Sequence, residues 1–255
     1  MNGRFAGKVV VVTGTGGGQG RAAALALAEE GATVIGCDMK TDGAEETREL
    51  VTAKGATMTS AQPLDLADRA AVSAWIDDAV REHGGIDLLY NNASAPRFAP
   101  FAEMTPADWH ATLRNELDVV FHVTQLVWPH MIARGGGAIV NIASIQGVNA
   151  LRWATGGTAH ATTKHGILGL TRELAAAGGP HNIRVNAICP GLIRSPATEK
   201  LTQNPDVLDT VLGHQIIQRI GQPEDVVRAA LFLLSDHASF ITGDHIMVDG
   251  GYTII

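Results

Sequence analysis

The residues best placed to do chemistry begin with a glycine run, Thr13-Gly14-Thr15-Gly16-Gly17-Gly18-Gln19-Gly20. It follows an apolar, β-branched stretch, Lys8–Thr13, and leads directly into Arg21–Glu30, a strong helix former stopped by Gly31. Glycines let a backbone turn tightly and approach a pyrophosphate, which the free amides of the helix N-terminus then hold. Asp38 ends the next apolar run, eighteen residues beyond Gly20, where a carboxylate can accept bonds from the hydroxyls of an adenosine ribose. A glycine turn beside an unrelated surface aspartate is the plainer alternative, and the order strand, loop, helix, strand, acid weighs against it. A mononucleotide P-loop is excluded, because no Lys-Ser or Lys-Thr follows the glycines. Asp38 would repel a 2′-phosphate; Met39 follows it, Thr15 sits in the loop, and Lys40 is the nearby cation, so NAD is expected rather than NADP.

Other chemistries find little support. Ser144 lies between Ile142 and Gln146, not in a G-x-S-x-G elbow. No H-E-x-x-H occurs among the ten histidines, and no metal is expected. Cys37 and Cys189, far apart, suggest a reducing, cytoplasmic setting. With 26 acidic against 19 basic residues and a net charge of −7, the chain offers no electrostatic footprint for nucleic acid or an anionic membrane. No apolar stretch reaches the length of a membrane span, and the N-terminal one is too short for a signal peptide.

The elements that must position these residues alternate from end to end. Strands are predicted at Lys8–Thr13, Thr33–Cys37, Met58–Leu64, Ile86–Tyr90, Ala138–Ala143, Arg184–Cys189 and His245–Val248. Helices are predicted at Arg21–Glu30, Glu45–Lys54, Arg69–Glu82, Thr162–Ala177 and Pro223–Leu234. Another opens at the capping box Thr105-Pro106-Ala107-Asp108 and reaches roughly Arg134. Lys8–Thr13 shows no polar alternation, as a strand buried on both faces should not. The expectation is an α/β chain: one Rossmann-like domain over residues 1–255, a doubly wound parallel sheet of about seven strands with helices on both faces.

With these motifs in order, nearly the whole chain resembles the short-chain dehydrogenase/reductase family. TGTGGGQG is similar to that family's T-G-x-x-x-G-x-G, Asn91-Asn92-Ala93-Ser94 to its N-N-A-G, and Asp249-Gly250-Gly251 to its C-terminal D-G-G. The resemblance implies cofactor contacts from Gly14, Gly18, Gln19, Gly20, Asp38, Asn91, Asn92 and Ala93, and adenine contacts from Asp65 and Leu66. It implies that Pro190, Gly191, Ile193 and Ser195 hold the nicotinamide carboxamide. It further implies that Ser144 bonds the substrate oxygen, that Lys164 grips the nicotinamide ribose, and that Asn115 supports a water relay to that lysine.

One position departs from the pattern. The family's Y-x-x-x-K is here His160-Ala-Thr-Thr-Lys164, and the chain's tyrosines, Tyr90 and Tyr252, lie elsewhere. The segment before it is a few residues longer than usual and carries Arg152 and Trp153. Spacing of i and i+4 puts His160 and Lys164 on one helix face. An imidazole titrates at about 6.5, and Lys164 would lower that value, favouring the neutral ring that takes a proton from an alcohol. Three readings stay open: an NAD-dependent oxidoreductase interconverting a secondary alcohol and a ketone through His160, the same scaffold doing elimination or isomerisation, and NAD binding without catalysis. A small-molecule substrate is expected, beneath a covering loop from about Pro196 to Gln218 with Trp153, His214 and Gln215 nearby. A homotetramer, or failing that a dimer, is expected through apolar stretches such as Phe121–Trp128 and the tail Tyr252–Ile255.

Overall fold

Four consecutive valines, Val9–Val12, show how the chain builds its sheet. Val9 and Val11 point into one apolar core, Val10 and Val12 into another, and all four are buried. The computed structural model describes residues 3–151 and 154–255, so the expectations resting on Arg152 and Trp153 lie outside the described residues. It contains β1 (Val9–Thr13), β2 (Thr33–Cys37), β3 (Met58–Ala61), β4 (Leu88–Asn91), β5 (Gly137–Ile142), β6 (Ile183–Pro190) and β7 (His245–Val248). All six neighbouring pairs are parallel, in the order β3-β2-β1-β4-β5-β6-β7. The order reverses between β1 and β4, so the loops leaving these strands diverge and open a crevice at the carboxyl ends.

Helices cover both faces. The core around Val10 and Val12 takes side chains from α1 (Gly18–Glu29), α2 (Thr41–Thr52) and, after the later strands, α9 (Pro223–Leu234). The core around Val9 and Val11 takes them from α3 (Arg69–His83), α5 (Val119–Ala133) and α6 (Thr158–Gly178). The expected doubly wound, single-domain α/β sheet is therefore what the chain forms. Among the described residues, no helix is long and apolar enough to cross a membrane.

Several boundaries shift by a few residues, α2 for example beginning at Thr41 rather than Glu45, and three differences bear on the site. The helix expected from Thr105 to Arg134 is divided into α4 (Pro106–Leu113), a π-helical segment Arg114–Asp118, and α5. Its start is as expected, with the Thr105 hydroxyl accepting from the Asp108 amide at 3.1 Å and Pro106 in the first turn. α6 begins at Thr158 rather than Thr162, which puts His160 inside its first turn. The segment from Pro196 to Gln218 carries two short helices, α7 (Glu199–Thr202) and α8 (Pro205–Gly213).

Candidate active site

The glycine loop lies across the carboxyl ends of β1 and β2. Asp38 reaches under it, its Oδ2 accepting from the Gly16 amide at 2.8 Å and its Oδ1 from the Lys40 amide at 2.7 Å. Gly14 has φ +77° and Gly18 φ +52°, conformations that side chains oppose, and a Cβ on Gly20 would stand 1.9 Å from the Gly14 carbonyl oxygen. Asn92 braces the loop from the side, donating to the Thr13 and Gly14 carbonyls at 3.0 and 3.3 Å, while the Asn92 and Ala93 amides donate to the Thr13 hydroxyl. α1 starts without a side-chain cap, which leaves its first amides open. The Oε1 of Gln19 is buried without a hydrogen-bond partner among the described residues. A loop that excludes side chains, open helix amides and an unpartnered buried oxygen together fit a dinucleotide.

The other sequence-predicted cofactor residues divide into three groups. Asp65 and Leu66 follow β3, with Asp65 accepting from the Ala67 amide and paired with Arg114 at 2.5 Å. Pro190 ends β6, and a Cβ on Gly191 would press on Asp249 at 2.9 Å. Ile193 accepts from the Thr198 hydroxyl at 2.5 Å, and Ser195 stands over the glycine loop, its Cβ 3.0 Å from where a Gly18 Cβ would be. Asn91 does not face the crevice. Its buried amide donates to Thr124 and to Asn141, which in turn donates to Thr171, so its side chain stitches the core below the site.

Two of the four catalytic candidates, His160 and Lys164, converge on a residue outside the family motifs. Glu116, on the π-helical segment, has no exposed surface. His160 Nδ1 lies 2.8 and 3.0 Å from its two oxygens, and Ser94 and Thr163 each donate a hydroxyl to it at 2.5 Å. Lys164, itself buried, donates to the Ile142 carbonyl at 3.0 Å and stands 3.8 Å from Glu116. Burial alone would raise the Glu116 carboxyl, but the charge of Lys164, the His160 contact and the Ser94 bond outweigh it and hold the group down at about 2. It is therefore an anion, and His160, expected to feel the charge of Lys164, has this carboxylate in direct contact as well.

Asn115 stands one residue earlier, half-buried, and makes no hydrogen bond to Lys164 or His160. The wide π turn brings Glu116 to α6, where it meets His160 and Thr163. Ser144 ends the strand region after β5, its hydroxyl accepting from the Gln146 amide at 3.1 Å. Phe98, more than half exposed, tilts its ring against His160 with centroids 5.6 Å apart. No tyrosine takes over the role: Tyr90 is wholly buried in the sheet, where burial pushes its phenol up, and Tyr252 lies beside His214 near the C-terminus.

The family profile described as Enoyl-(Acyl carrier protein) reductase matches residues 14–253. The chain is 38% identical over 98% of its length to all of the 3-oxoacyl-[acyl-carrier-protein] reductase of Thermotoga maritima. It is 43% identical, over 98% of its length and 88% of the relative's, to a short-chain type dehydrogenase/reductase of Bradyrhizobium diazoefficiens. Among solved structures, 7α-hydroxysteroid dehydrogenase complexed with NADH and 7-oxo glycochenodeoxycholic acid superposes with a TM-score of 0.92. That pair is 34% identical, covering 98% of this chain and 96% of the other.

Proposed function

The chain belongs to the short-chain dehydrogenase/reductase family, and from that premise we propose that it is an NAD-dependent enzyme interconverting a secondary alcohol and a ketone on a small organic substrate, with His160 as its acid–base group. The observation that carries the proposal is the pairing of His160 with a buried carboxylate through one ring nitrogen, which leaves the other nitrogen to exchange a proton. Bound NAD+ would supply the two-electron acceptor for the hydride leaving the carbinol carbon. On the protein side, His160 takes the hydroxyl proton at Nε2 and later releases it to solvent. The Ser144 hydroxyl supports the substrate oxygen as charge develops there. Lys164, whose ammonium also donates to the Ile142 carbonyl, would supply positive charge and hydrogen-bond donors to the nicotinamide ribose.

The preference for NAD rests on Asp38, whose carboxylate beside Gly16 would meet a 2′-phosphate. The assembly we propose is a homotetramer, in keeping with exposed apolar side chains at Phe121 on α5 and at Ile254 and Ile255 in the tail. The test of the central reading is NADH formation across a panel of secondary alcohols, with wild type and His160→Ala run side by side. The variant should lose about a hundred- to ten-thousand-fold in rate, the usual range for general acid–base catalysis, while cofactor titration shows NAD affinity nearly unchanged. Normal turnover by His160→Ala would make the histidine a bystander.

A further inference from the structure

We infer that Glu116 is a positioning residue for His160: it accepts the Nδ1 hydrogen and so holds the imidazole as the tautomer whose Nε2 lone pair is open. The catalytic consequence rests on the reading of His160 as the proton acceptor; the tautomer does not.

The argument begins with donor counting. Glu116 receives hydroxyl hydrogens from Ser94 and Thr163, and the Lys164 ammonium stands at 3.8 Å. A group so surrounded by donors is a carboxylate, and the value of about 2 agrees with that. A carboxylate has no hydrogen to offer, so the contact at 2.8 Å requires the hydrogen to sit on His160 Nδ1. A neutral imidazole carries one hydrogen, and Nε2 is then an acceptor. Free neutral histidine favours the opposite form, with hydrogen on Nε2, which cannot take a proton there. The anion thus selects the productive form. It would also stabilise the imidazolium produced as the alcohol gives up its proton.

Two further contacts fix the ring in place. Glu116 is immobilised by its own donors in a wholly buried position, and Phe98 tilts against the imidazole. Ser94, at the position where the family pattern has glycine, supplies one of those donors. The unusual histidine, the serine and the buried glutamate therefore form one unit, distributed over the loop after β4, the π-helical segment and the first turn of α6.

The decisive measurement is nitrogen NMR of the histidine rings, with the His160 signals assigned by their loss in His160→Ala. At a pH where the ring is neutral, wild-type His160 should carry its hydrogen on Nδ1, and Glu116→Gln should shift the population toward the Nε2-hydrogen form. Hydrogen on Nε2 in wild type, or the same tautomer population in Glu116→Gln, would overturn the inference. The wild-type spectrum decides the tautomer even where no variant folds. In kinetics, Glu116→Gln should lower kcat for alcohol oxidation by about a hundred- to ten-thousand-fold with little change in the KM for NAD. The double variant Glu116→Gln/His160→Ala should be no slower than His160→Ala alone, because Glu116 acts through His160. Additive losses would contradict a positioning role. Should no alcohol be oxidised at all, the proposed reaction fails while the tautomer still stands or falls on the spectrum.

Discussion

Replacing Glu116 with glutamine should change how the stability of this protein responds to acid. The carboxyl's ordinary value of 4.5 is lowered to about 2: burial opposes the shift, but Lys164, His160 and Ser94 outweigh it. As pH falls, the unfolded chain takes up this proton before the folded one does. The stability contributed by the ionised group is therefore complete above about 4.5 and is lost as pH falls through the folded value. At 1.36 kcal/mol per unit, the interval is worth about 3 kcal/mol at neutral pH. Roughly 2 kcal/mol of that should be gone by pH 3. Urea titrations of wild type and Glu116→Gln at steps from pH 7 to pH 3 isolate the effect, since every other carboxyl is common to both proteins. Wild type should be the more stable at pH 7, and its advantage should shrink below about pH 4.5. An advantage that stays constant, or that widens in acid, would refute the assignment of the group as a buried anion.

Two further outcomes test the cofactor cradle. NADH should bind roughly tenfold to a hundredfold more tightly than NADPH, because like charges brought together cost several kcal/mol. Asp38→Ala should narrow that gap, and equal affinities in the parent protein by titration calorimetry would sink the preference. Gly20→Ala places a methyl group against the Gly14 carbonyl and should cost about 1–3 kcal/mol, read as a fall in Tm, with NAD binding weakened beyond what the stability loss explains.

The sheet was legible in the sequence because its strands are β-branched runs with no polar alternation, Val9–Val12 above all, and such runs have little else to be. The cradle was legible because glycine at Gly14, Gly18 and Gly20 answers to backbone geometry that one residue type satisfies. The catalytic centre was only half legible. His160 and Lys164 declare themselves by spacing, but Glu116 depends on a π turn, a change in hydrogen-bond register that leaves no mark in apolar periodicity. One signal was available. The buried positions Thr112, Glu116, Val119, Val120, Val123 and Val127 form a single stripe, and a carboxylate on such a stripe needs a partner. Asn115 is suggested because its residue type suits the motif, and Asn91 because it opens the Asn-Asn-Ala run, although its amide turns into the core. Residue type identified these candidates, and only the backbone decided which way they face.

The stitch beneath the site has a consequence of its own. Asn91, Thr124, Asn141 and Thr171 tie β4, α5, β5 and α6 together with amides and hydroxyls alone, none of which changes charge in acid or at neutrality. The unit directly above it is held by a carboxylate, an ammonium and an imidazole. Acid therefore acts unevenly on the two: as pH falls toward about 2 the carboxylate takes up its proton and the upper storey loses its anion, while the lower one keeps its joints. Strong acid should thus take the centre's anion while the joints beneath it stay made, and neutralisation should restore the carboxylate between its donors.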